Sequence, residues 1–342
     1  MTSIGKYGQI NAKLRAMRSN LLEKDIFQKL INTPDLKELI LNLTNIRFSE
    51  FIDDKNPDPV SLEYSVTLEN VHQWKHLRKD CTHELVQIID YFIEEYELRK
   101  LKHILRLWYR NKQFDTPLLN EKIRYDYSVS DILESENIHN VIDKLAHTPY
   151  HPILLNNLPK FDQMNSVFPF EVSLDKDYYK RLWNLTDYFG KRDREISRKM
   201  LGIEIDLLNL ELITRLKDFY NVPASSLAEY LINKVNDGEK TFIQSIDHTR
   251  SAQQILEEIV GENRVKRLGN LDYNNKTAFF EDALYAVMLS EARKAFTGFP
   301  FTISILWGYR VFLKFEARNL FSIIQSKIYK LDKNEIFGHL VF

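Results

Sequence analysis

Apolar residues recur at helical spacing along most of the chain, and one such helix occurs three times. Its copies share an acid followed by apolar residues at fixed positions: Glu97-Leu-Arg-Lys-Leu101-Lys-His-Ile104, Asp206-Leu-Leu-Asn-Leu210-Glu-Leu-Ile213 and Glu316-Ala-Arg-Asn-Leu320-Phe-Ser-Ile323. The copies lie 109 and 110 residues apart. A second landmark, Lys29-Leu-Ile-Asn-Thr-Pro34, returns 115 residues later as Lys144-Leu-Ala-His-Thr-Pro149. This pattern indicates that one helical module has been used three times.

Each copy is long enough to be a small domain, because about 110 residues can bury a hydrophobic core of their own. Only ten glycines and ten prolines occur in 342 residues, which fits long helices with short connections. We therefore predict an all-α fold with three similar helical domains, at 1–113, 114–221 and 222–342.

In each copy the acid, the residue three positions later and two aliphatic residues share one helix face, since positions i, i+3, i+4 and i+7 form a stripe. The acid and its polar companion are Glu97 with Lys100, Asp206 with Asn209, and Glu316 with Asn319. If this face packs inward, the buried carboxylate costs several kcal/mol unless a cation or backbone donors meet it. The favoured interpretation is a structural one, in which each acid fixes the register of its helix.

The donor to each acid has to come from outside its own helix. The residue nine positions after the acid, which is Arg106, Arg215 or Gln325, points to the opposite side of the helix. We therefore expect a neighbouring helix to supply the donor.

Outside the repeated helix, the pattern predicts one or two long helices over 62–106, a helix over 128–145, a loop around Pro149 to Pro169 and a pair of long helices over 174–220. Module boundaries are expected at Asn111 to Pro117 and at Asn221 to Ser226. The most apolar stretch, from Ala295 to Tyr309, is shorter than the ~20 residues of a membrane span. It is expected to be a buried helix, and no transmembrane segment is predicted.

Charge and cysteine content narrow the class of protein. With 47 basic and 48 acidic residues the net charge is -1, so bulk electrostatics favours neither nucleic acid nor an anionic membrane. The single cysteine, Cys81, cannot form an intramolecular disulfide, and no export signal opens the chain. A cytoplasmic location is expected.

Candidate catalytic chemistry is sparse. The pair His72 and His76, followed by Glu84, has a spacing that metal sites use, but Gln73 stands where metalloproteases carry a glutamate. Pro149 interrupts a similar pair, His147 and His151, which is expected in a loop. Neither a phosphate-binding loop nor a G-x-S-x-G motif occurs. We predict no catalytic residue, no metal and no cofactor, and we interpret Cys81 as a structural thiol.

Three segments resemble one known family: Ala12-Lys-Leu-Arg-Ala-Met-Arg-Ser-Asn-Leu-Leu22, Leu201-Gly-Ile-Glu-Ile-Asp206-Leu-Leu-Asn209-Leu and Glu316-Ala-Arg-Asn319-Leu-Phe-Ser-Ile-Ile. The family is that of the central-stalk subunits of rotary V/A-type ATPases, known as the C subunit in prokaryotic complexes and the d subunit in the vacuolar enzyme. The resemblance covers essentially the whole chain. The first module departs from the pattern, with Lys100 where later copies have asparagine.

The resemblance implies a funnel of three helical domains around a pseudo-threefold axis. Its wide face would meet the cytoplasmic side of the membrane proteolipid ring, and its cavity would receive the central axle. We add the hypothesis that polar and basic side chains line the cavity and grip the axle. Such a protein is not an enzyme. It occurs once per complex and passes torque between axle and ring for H+ or Na+ transport or ATP synthesis. The resemblance assigns no residue to the axle or ring contacts.

Two other classes of protein remain open from the residues alone. The triple repeat equally fits a cytosolic helical scaffold or adaptor unrelated to rotary ATPases. A metal-dependent helical enzyme built on His72, His76 and Glu84 is the other.

Overall fold

A computed structural model describes residues 3–48, 52, 59–111, 117–218, 227–232 and 276–342. Within these residues the chain forms only helices and their connections, without a strand, so the prediction of an all-α fold is confirmed. No helix in these ranges is long and apolar enough to cross a membrane.

The described helices and helical turns up to residue 164 are α1 (Ser3–Ser19), α2 (Lys24–Asn32), α3 (Leu36–Leu43), a π-helical turn (Thr44–Phe48), α4 (Pro59–Arg78), α5 (His83–Tyr109), a 3-10 turn (Pro117–Asn120), α6 (Val129–Leu133), α7 (Ile138–Lys144) and α8 (Tyr150–Met164). The longest of them are α4 and α5, with 20 and 27 residues. The predicted helical stretch over 62–106 is therefore two helices. The first copy of the repeated motif lies in α5.

The remaining described helices contain the other two copies of the motif. They are α9 (Phe168–Leu185), a 3-10 turn (Thr186–Tyr188), α10 (Lys191–Asp218), α11 (Leu227–Tyr230), α12 (Lys276–Thr297), α13 (Ser304–Tyr329) and α14 (Lys333–His339). The second copy lies in α10 and the third in α13.

The chain divides into two compact units. The first unit comprises Met1–Tyr7 and Val172–Val311, and the second comprises Gly8–Glu171 and Phe312–Phe342. The module boundaries predicted near 113 and 221 fall at residues 112–116 and 219–226, which lie outside the described residues.

The second unit has a core that is built from both ends of the chain. Its N-terminal part contributes Phe27, Leu30, Ile31, Leu39, Ile40, Leu43, Phe48, Leu62 and Val66, and its C-terminal part contributes Ala317, Leu320, Ile323, Ile324, Ile336 and Leu340. Burying a large aliphatic or aromatic side chain contributes about 1.5–3 kcal/mol. Residues 312–342 therefore complete the hydrophobic core of the N-terminal helices.

In the first unit, α12 and α13 approach each other closely at Gly308. A Cβ atom at this position would lie 2.9 Å from the Cβ of Ala295 and 3.1 Å from the carbonyl oxygen of Ala292. Trp307, the residue before, is buried and donates a hydrogen bond from Nε1 to Ser197 Oγ at 2.9 Å. A glycine at this point lets the two helix backbones come together where any side chain would hold them apart.

The helix predicted over 128–145 is wrong in one respect, since the structure has two short helices there. A new helix, α7, begins after Asn137. The side chain of Asn137 caps this helix by accepting a hydrogen bond from the backbone N–H of Asn140, at 3.0 Å. Ser128 caps α6 in the same way through Asp131 N–H, at 3.2 Å. Both are strong N-cap residue types.

The loop predicted from Pro149 to Pro169 is also wrong, because α8 occupies most of it. Pro149 is the N-cap residue of α8, where its missing N–H removes no helical hydrogen bond. Pro159 lies inside the helix. Proline therefore opens this helix instead of excluding it, and His151 lies in its first turn.

The apolar stretch from Ala295 to Tyr309 is buried in large part but is not one helix. α12 ends at Thr297 and α13 begins at Ser304, so Gly298 and Pro300 fall in the connection between them. Ile303 and Tyr309 are fully buried, whereas Phe299 is half exposed. Glycine and proline interrupt the helix because one adds flexibility and the other lacks an N–H.

Candidate functional site

The stripe of the repeated helix is buried in all three copies. None of its twelve side chains is more than 6 % exposed. They are Glu97, Lys100, Leu101 and Ile104, then Asp206, Asn209, Leu210 and Ile213, and then Glu316, Asn319, Leu320 and Ile323. Each copy thus places an acid and a polar side chain in an apolar environment, where both have to be satisfied by hydrogen bonds.

Glu97 receives its hydrogen bonds from the connection between Asn120 and α6. The backbone N–H of Arg124 donates to Oε2 at 2.8 Å, and Tyr127 Oη donates to Oε1 at 2.5 Å. Burial, together with the charge of Glu97, raises the pKa of Tyr127 well above its usual range, so the phenol remains a donor. The expectation that a neighbouring helix supplies the donor is therefore wrong for Glu97. A connection supplies it instead, because backbone N–H groups outside helices are free to bond a side chain.

Glu316 is bonded by the turn after α1 and by the π-helical turn. Leu22 N–H donates to Oε1 at 2.7 Å, and Arg47 forms an ion pair with Oε2. Burial raises the pKa of Glu316, although the Arg47 guanidinium and the Leu22 N–H oppose that shift. Arg47 also lies 3.5 Å from the carboxylate of Glu69, whose charge adds to the rise.

The residue two positions before each acid is charged, and sequence reasoning did not single it out. In the first unit Glu204, at this position before Asp206, accepts from Tyr179 Oη at 2.9 Å and from two nitrogens of Arg310 at 2.5 and 2.8 Å. In the second unit the equivalent residues Glu95 and Lys314 pair with each other at 2.8 Å. Aligning the three copies would have shown that this position is always charged. It would not have shown which residue each charge pairs with.

The polar residue three positions after each acid bonds the backbone of a segment that follows its helix. Lys100 Nζ donates to the carbonyl oxygen of Glu121 at 2.8 Å. Asn209 Nδ2 donates to the carbonyl oxygen of Ile232 at 2.9 Å, and its Oδ1 accepts from the N–H of the same residue at 2.8 Å. We call this contact the backbone clamp.

The third copy repeats the two-bond arrangement of the second. Asn319 Nδ2 donates to the carbonyl oxygen of Val341 at 2.7 Å, and its Oδ1 accepts from Val341 N–H at 3.0 Å. The clamped residues lie 21, 23 and 22 positions after Lys100, Asn209 and Asn319. The first module therefore has the same clamp despite its lysine, with one bond instead of two.

The residues nine positions after the acids bond elsewhere. Arg106 pairs with Glu171 at 3.2 Å, and Gln325 donates to Glu63. The side chain of Arg215 lies outside the described residues.

Two further details recur between copies. The helices of the first and third copies are each followed by a non-glycine residue with positive φ, Asn111 at 50° and Lys330 at 54°, both fourteen positions after the acid. In the second landmark, Thr33 and Thr148 each donate from N–H and from Oγ1 to the carbonyl oxygen three residues earlier, in Leu30 and Leu145. The repeats are thus alike in local geometry as well as in sequence.

The candidate metal and nucleophile residues lie apart from these positions. His72, His76 and Glu84 are exposed on α4 and α5. Among the residues that the structure describes, no three His, Cys, Asp or Glu side chains are grouped to hold a metal ion. Burial and the neighbouring Asp80 raise the pKa of the Cys81 thiol to about 12, so it stays protonated.

Comparison with known proteins gives one consistent result. The sequence model of the family described as ATP synthase (C/AC39) subunit matches residues 10–338. The C subunit of the A-type ATP synthase of Methanocaldococcus jannaschii is 22 % identical over 99 % of this chain and 87 % of its own length. The proteins of the same name from Methanococcoides burtonii and Pyrococcus horikoshii are 24 and 20 % identical, over 99 and 98 % of this chain and 95 and 90 % of their own lengths.

Proposed function

Because the chain belongs to the family of ATP synthase C/AC39 subunits, we propose that it is a non-catalytic rotor component of a V/A-type ATPase. It acts as the socket between the central axle and the membrane proteolipid ring and transmits torque between them. Rotation driven by ATP hydrolysis moves H+ or Na+, and the reverse rotation supports ATP synthesis. The observation that carries the proposal is the family match over residues 10–338.

In the proposed arrangement the modules 1–113, 114–221 and 222–342 surround a pseudo-threefold axis. The cavity between them receives the end of the axle, and the opposite face meets the cytoplasmic loops of the ring. One copy is present in each complex, held at the membrane through the complex. The repeated local geometry supports three equivalent modules, since the motif helix of each module carries one clamp to a residue 21 to 23 positions further along the chain.

A protein that passes torque has to resist shear between its own segments. Each backbone clamp joins a repeated helix to the segment that follows it, through buried or partly buried polar atoms. Breaking such a bond leaves a polar group unpaired at a cost of about 1–3 kcal/mol, so the segment does not slide past the helix. Close packing of the apolar stripe adds to this resistance. These features support a stiff coupling.

The proposed role is tested by ion transport in reconstituted vesicles. ATP hydrolysis and ion uptake are measured for the complete complex, for a complex assembled without this chain, and after the purified chain is added back. We expect hydrolysis without ion uptake when the chain is absent, and recovery of uptake when it returns. A complex that transports ions normally without the chain would contradict the proposal.

The partners are tested separately by pull-down. The purified chain is offered the detergent-solubilised proteolipid ring and, in a second sample, the axle proteins. We expect each to be retained. Failure to retain either one would contradict the socket role while leaving membership of the family untouched.

A further inference from the structure

Residues 332–342 follow the left-handed residue Lys330 and form a segment after α13. The segment consists of α14 and of Leu340, Val341 and Phe342 after it. Asp332 opens it, because Oδ1 of this residue accepts a hydrogen bond from Asn334 N–H at 2.9 Å. We refer to residues 332–342 as the tail.

The tail is held by the same clamp that acts in the other two modules. Lys100 and Asn209 clamp Glu121 and Ile232, which follow the helices that carry the two clamping side chains. Asn319 clamps Val341 by the same pair of bonds that Asn209 forms with Ile232. The tail thus takes the position that a following segment takes in the earlier copies.

The apolar side chains of the tail pack onto α2 at the other end of the sequence. The rings of Phe27 and Phe342 lie 5.6 Å apart, and Lys24 Nζ lies 5.5 Å from the ring centres of both Phe337 and Phe342. Ile336 and Leu340 are buried in the core shared with the N-terminal helices. These contacts belong to the tail itself and not to the turn that joins it to α13.

Lysines on either side of that turn bond the carbonyl end of α2. Lys327 Nζ donates to the carbonyl oxygens of Ile31 and Thr33, at 2.6 Å each, and Lys333 Nζ donates to that of Asn32 at 3.4 Å. Cations are favourable at the C-terminal end of a helix. The joining residues Lys330 and Leu331 are exposed, as is Asp332, the first residue of the tail.

We propose that α2 and α13 form a peptide-binding surface whose partner is the tail of this chain. The Asn319 clamp holds the backbone of the tail, and Phe27 with its neighbours holds the apolar side chains. Since the binding contacts lie within the tail, it stays bound after the connection through Leu331 is cut. The tail completes the N-terminal core as a docked segment, and the proposed role in a rotary complex is not needed for this inference.

The test uses the full-length chain with a specific protease site inserted between Lys330 and Leu331. The folded protein is cut, passed through a size-exclusion column, and analysed by mass spectrometry for the tail in the protein fraction. We expect the tail to elute with the body. In the same cleavable chain, Asn319→Ala should release the tail at least tenfold faster, as followed by a fluorescent label on the tail.

Asn42→Ala is the matched control, because the amide of Asn42 donates to Glu38 within its own helix and not to the tail. We expect it to leave tail release unchanged. Loss of the tail from a cut but folded body would overturn the proposal, as would unfolding on cutting, detected by circular dichroism. Equal release from the Asn319→Ala and Asn42→Ala chains would overturn the role of the clamp. In the uncut chain, exchange of the Val341 amide should be faster after Asn319→Ala.

Discussion

Arg310 donates hydrogen bonds from two nitrogens to the two carboxylate oxygens of Glu204, at 2.5 and 2.8 Å, within the first unit. The two side chains are only 2 and 3 % exposed. Tyr179 Oη adds a third hydrogen bond to the carboxylate at 2.9 Å. The attraction in such a pair offsets the desolvation of its charges only while both partners are present. The pair therefore fixes α13 against α10 at one register.

Replacing Arg310 with methionine should destabilise the protein by about 3–5 kcal/mol, because the charge of Glu204 stays buried after its guanidinium partner has been removed. The double variant Glu204→Leu with Arg310→Met should recover much of this loss, since it removes both charges. Urea unfolding followed by circular dichroism measures both changes.

Lys294→Met provides the control for an ion pair near the surface. Lys294 is 55 % exposed where it pairs with Glu291, and Lys199 holds the same carboxylate. We expect a loss below about 1 kcal/mol, as for other exposed pairs. An Arg310→Met variant that loses no more than Lys294→Met would show that the buried pair does not hold the helices.

Asn209→Ala should cost about 1–3 kcal/mol, because the N–H and the carbonyl of Ile232 both lose their bonds to the side chain. Asn157→Ala is a suitable comparison, since the amide of Asn157 donates to the carbonyl oxygen of Ile153 within its own helix. Native-state hydrogen exchange of the Ile232 amide should be faster in Asn209→Ala alone. Unchanged exchange at Ile232 would count against the clamp.

The sequence was sufficient for the helical class and for the face on which the repeated acids lie, since both follow from helical spacing. The clamps could not be predicted from the sequence. Each side chain bonds a backbone carbonyl 21 to 23 residues away, and any residue type can supply that carbonyl. Lys100 illustrates the difficulty: the sequence shows a departure from asparagine, whereas the structure shows a longer side chain making the same contact.

Two of the errors in local structure, those at residues 149–169 and 295–309, involve proline and glycine. The presence of Pro149 and Pro159 favours a loop in the sequence. In the structure, however, Pro149 is the N-cap of α8 and Pro159 lies within that helix. Gly298 and Pro300 do interrupt the helical structure, since they lie in the connection between α12 and α13, although the apolar pattern around them continues. Whether such a residue opens, kinks or ends a helix depends on the tertiary contacts of its neighbours.

Glu316 should make stability depend on pH. Burial raises its pKa above the usual value of 4.5, so the folded state binds the proton more tightly than the unfolded state does. The free energy of unfolding should therefore fall as the pH rises from about 4.5 through the raised pKa, and it should level off above that.

Urea titrations of the wild type and of Glu316→Gln across this pH range isolate the effect, because glutamine can still accept from Leu22 N–H but does not titrate. The wild type should lose stability relative to Glu316→Gln as the pH rises. Arg47→Met should steepen the loss, since Arg47 opposes the shift. A wild type that gains stability relative to Glu316→Gln with rising pH would reverse the assigned sign.

Gly308→Ala should destabilise the first unit although alanine favours a helix over glycine by about 1 kcal/mol. The new Cβ would lie 2.9 Å from Ala295 Cβ, closer than two carbon atoms pack, so α12 and α13 must separate. Overpacking of this kind costs about 1–3 kcal/mol. Adding Ala295→Gly should recover part of the loss, because it removes the atom in closest contact.

Gly190→Ala, with open space around its Cβ, should stay within about 0.5 kcal/mol of the wild type in urea unfolding. If Gly308→Ala were as harmless as Gly190→Ala, the close approach of the two helices at Gly308 would be refuted.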